Sequence, residues 1–109
     1  MMEIIARETQ GFTVVSVSGR IDASTAQKLE ENCVKLIDEG GRKFILDLSA
    51  LEYVSSAGLR SVLAVAKKLK AAGGSLALCG LSGLVLEVFS ISGFDSFLPM
   101  YETIEDAIK

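Results

Sequence analysis

A chain of 109 residues suits one domain and leaves no room for two. Half of it is apolar, enough for a sizeable core, while the formal charge of -3 argues against a nucleic-acid binder, which carries a basic stripe. With no histidine in the chain there is no Ser-His-Asp triad, no Cys-His pair and no histidine-based metal site.

Glu3 to Arg7 and Phe12 to Val17 are rich in strand formers and are separated by Glu8-Thr-Gln-Gly11, which predicts a hairpin. Gly19-Arg-Ile-Asp22 is expected to break the second strand. Asp22 or Ser24 can then cap the following helix by accepting a first-turn backbone N–H. Ala26, Leu29, Cys33, Leu36 and Ile37 recur at helical spacing and predict a one-sided helix, ended by Gly40-Gly41. Phe44 to Leu48 reads as a short central strand, buried on both faces. A second helix begins near Ser56, with Leu59, Val62, Leu63, Ala66 and Leu69 as its apolar stripe. Lys67, Lys68 and Lys70 suit the negative end of its dipole, and Gly73-Gly74 stops it. Ser75 to Cys79 is another strand. Leu81, Leu84, Val85, Val88 and Phe89 predict a third helix ending near Ser92-Gly93. Phe97 and Leu98 are read as a last extended piece, and Thr103 to Ile108 as a short terminal helix. Strands alternating with helices imply parallel β-α-β crossovers. The expected architecture is α/β, with a mixed sheet of four to five strands and about four helices.

The longest uncharged stretch, Ala71 to Leu86, is broken by glycines and serines and is not a membrane span. The start, MMEIIARE, has no signal-peptide core. No direct membrane insertion is expected, and the expected location is the cytoplasm. Cys33 and Cys79 lie far apart among apolar residues and read as buried thiols of a reducing compartment, with a buried bridge kept as the alternative. Neither GxxxxGK[ST] nor GxGxxG occurs, so no standard phosphate-cradling loop is visible and no cofactor is expected. An enzyme is the weaker reading.

The polar pair Ser55-Ser56 lies at the mouth of the second helix. A serine there is commonly an N-cap, and Gly58 serves close packing. Ser56 also has an advantage as a modification site. A phosphate near a helix amino end meets free N–H groups and the positive end of the dipole.

The stretch DLSALEYVSSAGLRSVL, Asp47 to Leu63, resembles the STAS domain of bacterial anti-sigma factor antagonists. Gly19-Arg-Ile-Asp22 followed by Ser24-Thr25-Ala26 is similar to the family's Gly-x-Leu/Ile-Asp loop. Leu84 to Phe94, with Ser92-Gly93, is similar to its later helix. The likeness covers nearly the whole chain and implies a single STAS domain over residues 1–109.

By this resemblance Ser56 is the phospho-acceptor, Ala57 the small residue and Gly58 the glycine of the motif. Many members carry aspartate where Ser55 stands, so Ser55 stays open as the acceptor. The family binding surface falls on Gly19, Arg20, Asp22, Ser24, Thr25, Ser55, Ala57, Gly58 and Arg60, with a helix N-cap as the competing role for Asp22. The implied partners are an anti-sigma factor that is also a serine kinase, and a phosphatase. The implied chain is a monomer or weak dimer, free of nucleic acid and metal. Two other readings remain: a constitutive accessory STAS subunit of a lipid-transport ATPase or stress-signalling scaffold, and, last, a nucleotide-binding or enzymatic α/β protein.

Overall fold

The expected hairpin forms, but with a tighter turn and longer strands. The computed structural model describes residues 1–109. In chain order it contains β1 (Met2–Thr9), β2 (Phe12–Ile21), α1 (Ala26–Asp38), β3 (Lys43–Asp47), β4 (Leu51–Val54) and α2 (Ser56–Ala71). There follow β5 (Ser75–Cys79), α3 (Gly83–Ile91), one turn of 3-10 helix at Phe94–Ser96, β6 (Met100–Tyr101) and α4 (Ile104–Ile108). β1 and β2 pair antiparallel, with Thr9 opposite Phe12 across Gln10-Gly11. Both turn residues have positive φ, 50° and 84°, which matches the twist of a two-residue hairpin.

The sheet order is β1-β2-β3-β5-β6, with β4 paired to β2, and every pairing outside the hairpin is parallel. That makes six strands, one more than the sequence indicated. The extra strand is β4, and it explains a second correction. Gly19-Arg20-Ile21 does not break β2; it extends it, because β4 lies alongside with Arg20 opposite Tyr53 and Ile21 opposite Val54. The register slips between Gly19 and Arg20, and Gly19 takes φ +87°, a conformation that costs glycine little at such a bulge.

Side chains alternate across a strand, so Val14 and Val15 point to opposite faces, and both are fully buried. On one face Val15, Phe44, Leu46, Leu78 and Phe89 join the main core with Leu29 and Cys33 of α1 and Val62, Val65 and Leu69 of α2. On the other, Val14, Ile45 and Cys79 pack with Ala107 of α4. The cysteines therefore sit on opposite sides of the sheet as free thiols, which removes the bridge. Burial pushes the Cys33 thiol up to about 12. Burial, then the nearby Asp47 carboxylate, pushes Cys79 up to about 12 as well. No helix is long and apolar enough to cross a membrane.

Three expectations shift. The fully buried line of α2 is Gly58, Ser61, Val62, Val65 and Leu69, while Leu59, Leu63 and Ala66 lie at its margin. A face containing glycine and serine is poorly marked by hydrophobic spacing. Ser61 is tolerated there because its hydroxyl donates to the Gly58 carbonyl at 2.8 Å. On α3, Val85 and Phe89 are buried, but Leu84 is 76% exposed. Phe97 and Leu98 are not a strand. They follow the 3-10 turn at Phe94–Ser96 as irregular backbone, and pairing to β5 starts beyond them, where the Leu78 amide donates to the Pro99 carbonyl at 2.9 Å.

Candidate functional site

β2 and β4 run parallel, finish side by side and each pass into a helix. The Ser55 amide donates to the Ile21 carbonyl at 2.8 Å and locks the two exits together. The Gly19–Thr25 segment and the Tyr53–Arg60 segment thus meet at the carboxyl edge of parallel strands, where open α/β sheets place their sites.

At the first exit, Arg20 is exposed and its guanidinium lies over the Tyr53 ring, 4.2 Å from the centroid. Its Nε stands 3.9 Å from Asp22 Oδ2. Asp22 and Ser24 do not cap α1, contrary to expectation. Asp22 Oδ1 instead accepts from the Ser24 amide at 2.9 Å and the Ser24 hydroxyl at 2.7 Å. The residue at the N-cap position is Thr25, and it makes no side-chain cap bond. Its hydroxyl donates to the Arg20 carbonyl at 3.0 Å and accepts from the Asp22 amide at 2.9 Å. The loop is bonded to itself because the Asp22 carbonyl already receives the Thr25 and Ala26 amides. The Ser24 hydroxyl, then the Ser24 amide, with a smaller part from the Thr25 hydroxyl, hold the Asp22 carboxyl below the usual carboxylate range.

At the second exit the two serines separate. Ser55 is extended, with φ -96° and ψ 176°, and its Oγ accepts from the Gly58 amide at 3.2 Å. It is the N-cap of α2. Ser56 is the first residue of the helix and is exposed. Ala57 is half-buried and Arg60 exposed. Gly58, also in the expected binding set, is buried. A Cβ there would stand 2.7 Å from Ile21 Cγ2 and 2.8 Å from Val54 Cγ2. Its role is to let the first turn of α2 sit down on the ends of β2 and β4. Gly19 is half-buried and contributes backbone only, its amide donating to the Ala50 carbonyl at 3.2 Å.

Two features escaped the sequence reading. Tyr53 is 41% exposed and forms the platform for Arg20. Its signal was present in the short strand-forming run Leu51-Glu-Tyr-Val54, where aromatic Tyr53 and β-branched Val54 stand just before the helix. The other is a groove of about 960 Å³ between α1 and α2, lined among others by Ala26, Glu30, Glu31, Ala57, Arg60 and Ala64. Its lining brings together small residues of both helices, Ala26, Ala57, Ser61 and Ala64, a pattern visible only when the two helices are side by side.

This arrangement carries an exposed Ser56 hydroxyl beside a self-bonded loop, on a fold with parallel crossovers and a leading hairpin. The STAS domain family model matches residues 3–107, and the chain belongs to that family. Within it the chain stands among the anti-sigma factor antagonists, a regulatory group. It is 41% identical over 106 residues to BtrV of Bordetella bronchiseptica, provisionally named an anti-sigma factor antagonist, covering 97% of this chain and 91% of that protein. It is 27% identical to the anti-sigma-B factor antagonist of Bacillus subtilis, covering 99% of this chain and 98% of the relative. The crystal structure of an anti-sigma factor antagonist from Mycobacterium paratuberculosis matches with a TM-score of 0.90 and 30% identity, over 99% of this chain and 92% of that one.

Proposed function

We propose that the unphosphorylated chain binds an anti-sigma factor that is also a serine kinase, frees a sigma factor, and is switched off by phosphorylation of Ser56. The reading is a cytoplasmic binding module with no catalysis of its own. The observation that carries it is the division of labour at the mouth of α2: Ser55 is held as the cap, and Ser56 is left exposed. The partner surface is Arg20, Asp22, Ser24 and Thr25 on one side and Ser55, Ser56, Ala57 and Arg60 on the other, with Tyr53 between them. In the transfer, the Ser56 hydroxyl oxygen attacks the γ-phosphorus of ATP, its proton goes to a base on the kinase, and ADP leaves. A phosphatase reverses the state by hydrolysis.

The magnitudes support a switch without refolding. A hundredfold loss of affinity needs about 2.7 kcal/mol. Two unit charges about 4 Å apart near a protein surface interact by roughly 4 kcal/mol at an effective dielectric of 20. A phosphate carries about -1.5 to -2 charges at neutral pH, so one partner carboxylate beneath it is enough. Within the monomer the same group sits at the positive end of α2, which favours it by roughly 0.3 to 2 kcal/mol. The monomer accepts the group and the complex rejects it.

Incubation with the cognate kinase and ATP, followed by mass spectrometry, is expected to place one phosphate on Ser56. Ser56→Ala is expected to bind the partner and resist dissociation by ATP, and Ser56→Asp to bind more weakly. Equal affinities for the two variants, or no phosphate on Ser56, overturn the reading.

A further inference from the structure

We infer that Arg60 receives the phosphate on Ser56: in the modified state its guanidinium folds back one helical turn and pairs with it. The inference rests on the reading of Ser56 as acceptor and adds the residue that holds the modified state. Ser56 and Arg60 are both exposed on α2, four positions apart. Side chains on a helix lean toward its amino end, so the long Arg60 side chain covers the turn that begins at Ser56. The polarity also fits, because an anion four residues before a cation is the favoured order.

Arg60 is uncommitted. The ion pairs of the chain are Arg20 with Asp22 and Lys68 with Asp38, although Arg60 lines the groove opposite Glu30 and Glu31 of α1. Arg20, the other cation at this edge, is held between Asp22 and the Tyr53 ring. A guanidinium also presents two parallel N–H donors in a fixed fork that matches two phosphate oxygens, a geometry an ammonium lacks. Drawing Arg60 over Ser56 takes one of the two cations, Arg60 and Lys35, away from a groove rimmed by Glu30, Glu31, Asp38 and Glu39. Phosphorylation therefore changes the charge of the groove as well as that of the serine.

The test installs phosphoserine at position 56 by encoded incorporation, so the outcome does not depend on any kinase. Phosphorus NMR then follows its second ionisation with pH. Its apparent pKa is expected to lie lower in the parent than in Arg60→Gln by roughly 0.3 unit, the size of an exposed helical pair. The difference is expected to shrink in concentrated salt. Arg60→Lys restores part of it, and Arg20→Gln keeps the parent value. Equal pKa values in the parent and Arg60→Gln overturn the inference, as does a shift that follows Arg20 instead. Either result leaves phosphorylation of Ser56 standing. A kinase that ignores Ser56 sinks the functional reading and leaves this measurement intact.

Discussion

The two strand-to-helix exits lie against each other and are built from the same kinds of residue, yet they use their hydroxyls in opposite ways. At the exit of β2, Asp22, Ser24 and Thr25 bond to one another and to the loop backbone. At the exit of β4, Ser55 alone supplies the cap, and its neighbour Ser56 is left to solvent. The first exit is a shaped surface whose polar groups are already satisfied. The second is a rigid mount for one spare hydroxyl. A contact surface benefits from the first arrangement and a modification site from the second, since a kinase needs a side chain whose removal from the fold costs nothing.

The largest expected effect comes from lifting the mount. Gly58→Val forces a branched side chain against Ile21 and Val54, and is expected to destabilise the domain by about 3 kcal/mol, at the upper end of overpacking costs. Urea denaturation checks it, and an unchanged midpoint shows that α2 does not need its close seat. A smaller effect separates the two serines. Ser55→Ala removes the cap bond to Gly58 and is expected to cost about 1 kcal/mol, and on the proposed function phosphorylation of Ser56 is expected to persist in it. Ser56→Ala, by contrast, leaves the denaturation midpoint unchanged. A reversal of the two stabilities assigns the cap to the wrong serine.

Much of this comparison was legible in the residues. The run of strand formers from Phe12 to Val17 placed the second hairpin strand, although that strand is buried on both faces, and the helical spacing of Ala26 to Ile37 placed α1, which buries one face and records it in its pattern. Ser55-Ser56 before Gly58 marked the mouth of α2. What stayed hidden depends on distant partners. Glycine at position 19 looked like a strand end, and only the pairing with β4 turns it into a bulge within β2. The choice between Ser55 and Ser56 as cap turns on where the first helical φ falls, a boundary that spacing alone leaves a residue uncertain. Asp22 read equally well as a cap or a contact, because its bonds to Ser24 depend on the loop's own closure rather than on any periodicity.

The smallest expected effect probes that closure through pH. The Asp22 carboxyl is held below its ordinary range by Ser24 and then Thr25, so the folded state binds its proton less readily than the unfolded chain does. The stabilisation is therefore present in full above the unfolded carboxylate pKa of about 3.9 and fades as pH falls through the lower folded value. Asp22→Asn keeps an oxygen for the Ser24 donors but removes the charge, and with it the ion pair to Arg20. The parent is expected to be slightly more stable than Asp22→Asn at neutral pH, with the gap closing in acid. Thermal melts of both proteins from neutral to acidic pH read this directly. A gap that stays constant with pH shows that the loop is held by its neutral bonds alone. The two exits then differ in which hydroxyls they employ, with no part played by charge.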